Sequence, residues 1–188
     1  MKLLINKTDY TETINIAINL QGEYSKSVIF HCYWHGTLNE KHLYSILSCY
    51  YFNVKRNKHK IILWLENNTP NEYNKEIEKY AEIRYFSLGD EQTNTVFLEN
   101  NFYYNKSLSF YSDVVRYLLL YKYGGLYVDA DIEPIVPLKN FIENDSYFII
   151  CLSYFNTVFQ PHFIMTEKNN EILENAILKY IYYYNNNK

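Results

Sequence analysis

The chain has 188 residues, 48% hydrophobic, 21% charged and 19% aromatic, with 22 tyrosines but only five glycines and four prolines. That is enough for one domain with its own core, and too apolar for wholesale disorder. Acidic residues number 21 against 18 Lys and Arg, a formal net charge of −3, which argues against the broad cationic face of a nucleic-acid binder.

Met1-Lys2-Leu3-Leu4-Ile5 is apolar, but Asn6-Lys7-Thr8-Asp9 halts it short of signal-peptide length. No stretch approaches the roughly 18 apolar residues that would span a bilayer. Val28–Tyr33 reads as a strand. Asn39 caps a helix whose apolar positions Leu43, Ile46, Leu47, Tyr50 and Tyr51 follow three–four spacing. Ile61–Leu65 is a buried strand, and Thr69-Pro70 opens a helix through about Tyr80. Ile83–Phe86 is a further strand, while 87–107 carries no motif. Phe110–Tyr123 favours a helix ended by Gly124-Gly125, and the strand Leu126–Asp129 follows. Tyr147–Cys151 and His162–Met165 are strand candidates. The last helix, Asn170–Tyr184, is expected to bury Ile172, Leu173, Ala176, Ile177, Tyr180 and Ile181. Asn185-Asn186-Asn187-Lys188 is a polar run, either a frayed end or the start of a linker.

Alternating strands and helices predict an α/β sandwich around a largely parallel sheet, with ligands beyond the carboxyl ends of its strands. Cys32, Cys49 and Cys151 are an odd number without paired spacing, so neither a disulfide framework nor a four-cysteine zinc site is expected. The chain reads as soluble and cytoplasmic. Its wealth of Tyr, Asn, Ile and Lys suits an AT-rich source such as a large DNA virus, which would make the compartment the host cytoplasm.

The informative segment runs from Ser112 to Ile132. Asp129 and Asp131 lie two apart at the end of an apolar strand, so in extended geometry their carboxylates point the same way. Two such charges repel unless a cation or shared proton offsets them. Oxygen ligands without a neighbouring His or Cys suit a hard ion, Mg²⁺ or Mn²⁺, which keeps positions open for phosphate oxygens. Asp113 and Arg116 share a face near the start of the preceding helix. Charges on so apolar a helix either pair with one another or offer an acceptor and a forked donor to a polyhydroxylated ligand.

Ser-Asp-x-x-Arg, then a helix, then Gly-Gly-x-Tyr-x-Asp-x-Asp resembles the DXD-containing sugar-binding region of GT-A glycosyltransferases. The resemblance is to the group holding capsular and Golgi mannosyltransferase-like enzymes, clostridial glucosylating toxins and small viral glycosyltransferase domains. His31-x-x-Trp34-x-Gly36 with Ile61–Glu66 is a weaker second match, and together they cover about 28–166. The resemblance implies a GT-A (Rossmann-like) α/β/α sandwich with a mixed, largely parallel sheet. Residues 1–188 would be one glycosyltransferase domain, alone or within a longer protein. It implies a metal-dependent transferase moving a hexose from a nucleotide sugar, a UDP-hexose such as UDP-glucose, to a glycan or protein acceptor. The group generally retains anomeric configuration.

Carried onto this chain, Asp131 would bind Mn²⁺ or Mg²⁺ directly, and Asp129 would contact the ribose and reach the metal. Asp113 and Arg116 would hold donor-sugar hydroxyls. Trp34 would stack on the nucleobase, with a core aromatic as its competing role, and Tyr127 would pack beside the donor; Tyr33 and Tyr117 fall in the same region. His162, after the loop Ser153–Phe159, is a further candidate for the metal, lying where such enzymes often place a third metal or diphosphate contact. His31 reads as a core histidine, Glu133 as a strand-end acid and Tyr182–Tyr184 as helix packing. Two other classes remain: a catalytically inactive sugar-nucleotide or glycan-binding module, and a metal-dependent phosphatase or nuclease.

Overall fold

A computed structural model describes residues 24–96, 108–143, 148–152 and 159–186, together with 12, 14–16, 18 and 19. The expectations for 1–9, Tyr147, the loop 153–158 and 187–188 lie outside the described residues. So do the side chains of Cys151, Tyr180, Ile181, Tyr183 and Tyr184.

The elements run β1 (Ile29–His35), α1 (Glu40–Cys49), β2 (Lys60–Glu66), α2 (Glu72–Ile77), β3 (Glu82–Tyr85) and α3 (Leu88–Glu91), then α4 (Leu108–Tyr123), β4 (Gly125–Val128), α5 (Lys139–Glu143), β5 (Phe148–Leu152), β6 (Phe159–Thr166) and α6 (Glu171–Asn186). One six-stranded sheet has the order β3-β2-β1-β4-β6-β5. β3, β2, β1 and β4 are parallel, β6 runs antiparallel to β4, and β5 antiparallel to β6. This is the mixed, largely parallel sheet expected. β2 and β3 lie on one side of β1 and β4 on the other, so the strand order reverses at β1. A crevice outside the strand ends is expected there.

Both faces of the sheet are covered, which is why its strands read as continuous apolar runs. Ile62, Trp64 and Tyr127 face one layer with Val114, Val115, Leu118, Leu119, Leu173 and Ile177 of α4 and α6. Phe30, Cys32, Leu63, Leu65, Leu126 and Val128 face the opposite layer with Ile46, Ile77 and Ile142 of α1, α2 and α5.

Three local expectations need correction. In α1 the buried line is His42, Ser45, Ile46 and Cys49, with Leu43 and Leu47 half-buried, while Tyr50 and Tyr51 fall, also half-buried, in the π-helical turn Tyr50–Val54 that follows. Polar partners make that possible: Ser45 Oγ donates to the Ile132 carbonyl at 2.5 Å, and His42 Nδ1 accepts the Asn39 backbone N–H. The second helix is capped by Asn71, not opened by Thr69-Pro70. Asn71 Oδ1 accepts the Tyr73 N–H while Asn74 reaches back to the Asn71 N–H, a reciprocal capping pair. In α6, Leu173 and Ile177 are buried in the core while Ile172 and Ala176 are exposed, so the buried face is narrower than the spacing predicted.

Gly124 and Gly125 end α4 as expected. Gly124 takes φ +65° and donates its N–H to the Leu120 carbonyl at 2.8 Å. Gly125 has φ +102°, and a Cβ there would lie 2.4 Å from the Ile29 carbonyl oxygen. Left-handed backbone and close approach thus demand glycine independently.

Candidate functional site

β1 and β4 deliver their carboxyl ends to a cavity of about 400 Å³ lined by Tyr33, Trp34, His35, Tyr127, Asp129, Ala130 and Asp131. α4 closes one side with Leu108, Ser112 and Arg116. Those three are four residues apart, hence on one helical face.

Asp129 follows the last residue of β4, and its N–H donates to the His162 carbonyl on β6. Its carboxylate is 18% exposed and accepts from Arg116 Nη2 at 3.1 Å and from His162 Nδ1. Arg116, 5% exposed at its side chain, also lies 3.4 Å from Asp113 and stands over the Tyr127 ring at 5.0 Å. The two readings of Asp113 and Arg116 therefore meet: the pair forms, and Arg116 reaches on to the motif. Burial pushes the Asp113 carboxyl above its ordinary value, with Arg116 opposing and the Asp129 charge reinforcing the rise. A guanidinium this buried needs its anions, since removing one partner strands a charge away from water.

The strand ends at Val128, so the two motif carboxylates are not successive same-side residues of an extended strand. The Ile132 N–H donates to the Asp129 carbonyl at 3.0 Å, which places Asp131 in a turn. Asp131 is 44% exposed and pairs with Lys41 Nζ at 3.2 Å. Both carboxylates still line one cavity. The turn achieves by a different backbone path what alternation was expected to supply.

Trp34 is half-buried at the end of β1. Its indole N–H donates to the Thr37 carbonyl at 3.3 Å, its ring packs 4.2 Å from the His42 ring, and Lys41 Nζ stands 4.7 Å from its centroid. It packs on the core and lines the cavity at once. Tyr127 is 1% exposed, beneath Arg116. Tyr117 is half-buried, and Glu133 is exposed. His31 is fully buried: it shares a hydrogen bond between Nε2 and the Gly124 carbonyl, and its Nδ1 accepts the Trp64 indole N–H, both at 3.0 Å. Burial pushes its pKa down to about 4. This is a neutral core histidine.

Among the described residues no three His, Cys, Asp or Glu side chains gather as a metal cluster. Of the candidates, Asp129 and His162 meet, whereas Asp131 is held by Lys41. Two carboxylates on one cavity nevertheless fit a hard divalent ion, which often takes one or two carboxylates and fills its other positions with phosphate oxygens and water. Sequence reasoning passed over two groups at this edge. Lys41, in the first turn of α1, meets Asp131 across 90 positions of chain. Glu66, the last residue of β2, accepts from the Tyr33 and Tyr111 hydroxyls at 2.6 and 3.2 Å. An acid at a parallel strand's carboxyl end was a visible signal; Lys41 had none.

Residues 50–148, just over half the chain, match the family described as the glycosyltransferase sugar-binding region containing DXD motif. Among solved structures, the PaToxG glycosyltransferase superposes with a TM-score of 0.54 at 17% identity, covering 96% of this chain and 68% of that one. At that identity the likeness shows the fold. No curated protein matches the chain.

Proposed function

The chain belongs to the family of DXD-containing glycosyltransferase sugar-binding regions, and from that premise we propose that it transfers a hexose from a nucleotide sugar to a glycan or protein acceptor. The donor in this reading is a UDP-hexose such as UDP-glucose, the ion Mn²⁺ or Mg²⁺, and the outcome retention at the anomeric carbon. Residues 1–188 act as one catalytic domain. A cytoplasmic setting, the host's for a viral source, accords with the buried free thiols of Cys32 and Cys49.

The observation that carries this reading is the linked set Asp113–Arg116–Asp129, with Asp131 on the same cavity wall and Trp34 at its mouth. Asp131 and Asp129 would hold the divalent ion, which supplies Lewis-acid stabilisation of the departing diphosphate. Arg116 pairs with Asp129 on the cavity wall, and Asp113 shares that guanidinium. His162 fixes Asp129 from the opposite side. Arg116 on the cavity wall, with Asp113 paired to it, would offer donor-sugar hydroxyls a forked donor and an acceptor. Trp34 offers an aromatic surface for the nucleobase, and the buried ring of Tyr127 floors the cavity. Asp129 and Asp131 are the acidic groups among the described lining residues, and both are committed to the cation. Retention in this reading is what the family resemblance implies.

The test is a thermal-shift screen of nucleotide sugars with and without Mn²⁺. A ligand bound by the folded state alone raises the melting temperature with its concentration over Kd. A metal-dependent rise with one sugar nucleotide, followed by transfer or slow hydrolysis of that compound, is expected. No rise with any donor sinks the proposal, and a rise without turnover supports the inactive binding module instead.

A further inference from the structure

Asp129 and Asp131 reach the cavity with different counter-charges. Asp129 has the buried Arg116 guanidinium, a fixed partner. Asp131 has Lys41, whose side chain is 48% exposed and carries its ammonium on a flexible four-carbon stem. The Asn39 cap aims the first turn of α1 at this edge, with Asn39 Oδ1 accepting the Lys41 N–H at 3.1 Å. From there Nζ lies 3.2 Å from Asp131 and 4.7 Å from the Trp34 centroid. One mobile cation therefore touches both the carboxylate assigned to the metal and the ring assigned to the base.

We propose that Lys41 is the site's exchangeable cation: it neutralises Asp131 before the divalent ion arrives, then yields that carboxylate and pairs with the donor diphosphate. This rests on the metal-dependent reading above. A divalent ion on Asp131 and an ammonium 3 Å away repel each other, so the two compete for one carboxylate. The diphosphate brings new negative charge within reach of the stem, and ammonium–phosphate pairing is a strong charge-assisted contact. Lys41 thus opposes the ion when it comes alone and favours the donor when it comes with the ion. The site is discouraged from loading with metal in the absence of substrate.

Opposite signs make the proposal testable on the full chain with Lys41→Gln and Lys41→Arg. Mn²⁺ alone is titrated by the loss of its free-ion paramagnetic resonance signal, and UDP by calorimetry at saturating Mn²⁺, with GDP where UDP is silent. Lys41→Gln is expected to bind Mn²⁺ alone about two- to fivefold more tightly, the range an exposed ion pair supplies. The same variant is expected to bind the nucleotide about tenfold more weakly. Lys41→Arg keeps the charge and stays near wild type in both. Unchanged affinities, or a loss of both together, overturn the role of Lys41 while leaving the enzyme reading intact. A wild-type chain without any metal-dependent nucleotide binding overturns both.

Discussion

At the carboxyl ends of β1 and β4, Trp34, Asp129 and Asp131 surround a cavity, and charged groups are spread over α1, α4 and β6 to balance them. At the opposite end of the same strands lie Gly124, Gly125 and His31, with no net charge and almost no tolerance for added atoms. One stretch of sequence, Ser112 to Ile132, supplies most of both ends. At the cavity end, residue type matters through charge and the counter-charge that each carboxylate finds. At the glycine end it matters through backbone geometry and a closed hydrogen-bond chain from Trp64 through His31 to Gly124. Substitutions at the two ends should therefore fail in different ways.

The largest expected effect belongs to the cavity end. Asp131→Asn should lower metal-dependent transfer or donor hydrolysis by at least about a hundredfold, since it removes a charge that would hold the leaving-group ion. Its melting temperature should move by no more than about 3 °C, because the Lys41 pair is exposed. Full activity in that variant would remove the basis for placing the chemistry there.

Gly125→Ala should show the converse. A Cβ 2.4 Å from the Ile29 carbonyl oxygen, on a residue at φ +102°, forces β1 and β4 apart. The expected loss is about 3 kcal/mol or more of folding free energy, read by urea denaturation, and native-like stability would show that the strands give way easily.

The glycine end also predicts a pH dependence. Burial lowers the folded-state pKa of His31 from 6.5 to about 4, so below 6.5 the unfolded chain takes up a proton that the folded chain refuses. Its stabilising contribution is whole above pH 6.5 and is lost as pH falls toward 4, by about 3 kcal/mol at that limit. His42, also pushed down to about 4 by burial, acts in the same direction. Denaturation midpoints measured from pH 7 to pH 4.5 should fall, and less steeply in His31→Gln; identical slopes would place the acid sensitivity elsewhere.

The smallest expected effect is Trp34→Ala, about 1–3 kcal/mol of nucleotide affinity if the indole stacks on the base. Fluorescence or calorimetric titration with the nucleotide alone measures it, and an unchanged Kd would return Trp34 to the core.

Much of this was legible without coordinates. The apolar runs marked the central strands β1, β2 and β4 to within a few residues, because strands buried on both faces have no polar positions to hide among. Gly124-Gly125 announced a helix end, and the Ser-Asp-x-x-Arg and Asp-x-Asp spacings singled out the residues now seen on or beside one cavity. The helical faces were less legible. Ser45 is polar by type but buried with a carbonyl partner that sequence periodicity cannot see, and His42 is buried with Nδ1 partnered and Nε2 without a hydrogen bond. Asp131 was expected to follow Asp129 along a strand, but a backbone bond from Ile132 to Asp129 turns the chain first.

The sequence by itself determined the layered α/β class, the position of the carboxylate motif and the need for glycine behind it. Those follow from local hydrophobicity, spacing and backbone sterics, all written within short windows. Only the tertiary structure decided that Asp129 is clasped by Arg116 and His162 while Asp131 is held by Lys41. Those partners lie 13, 33 and 90 residues away, and a charge acts through distance in space, which only the folded sheet sets.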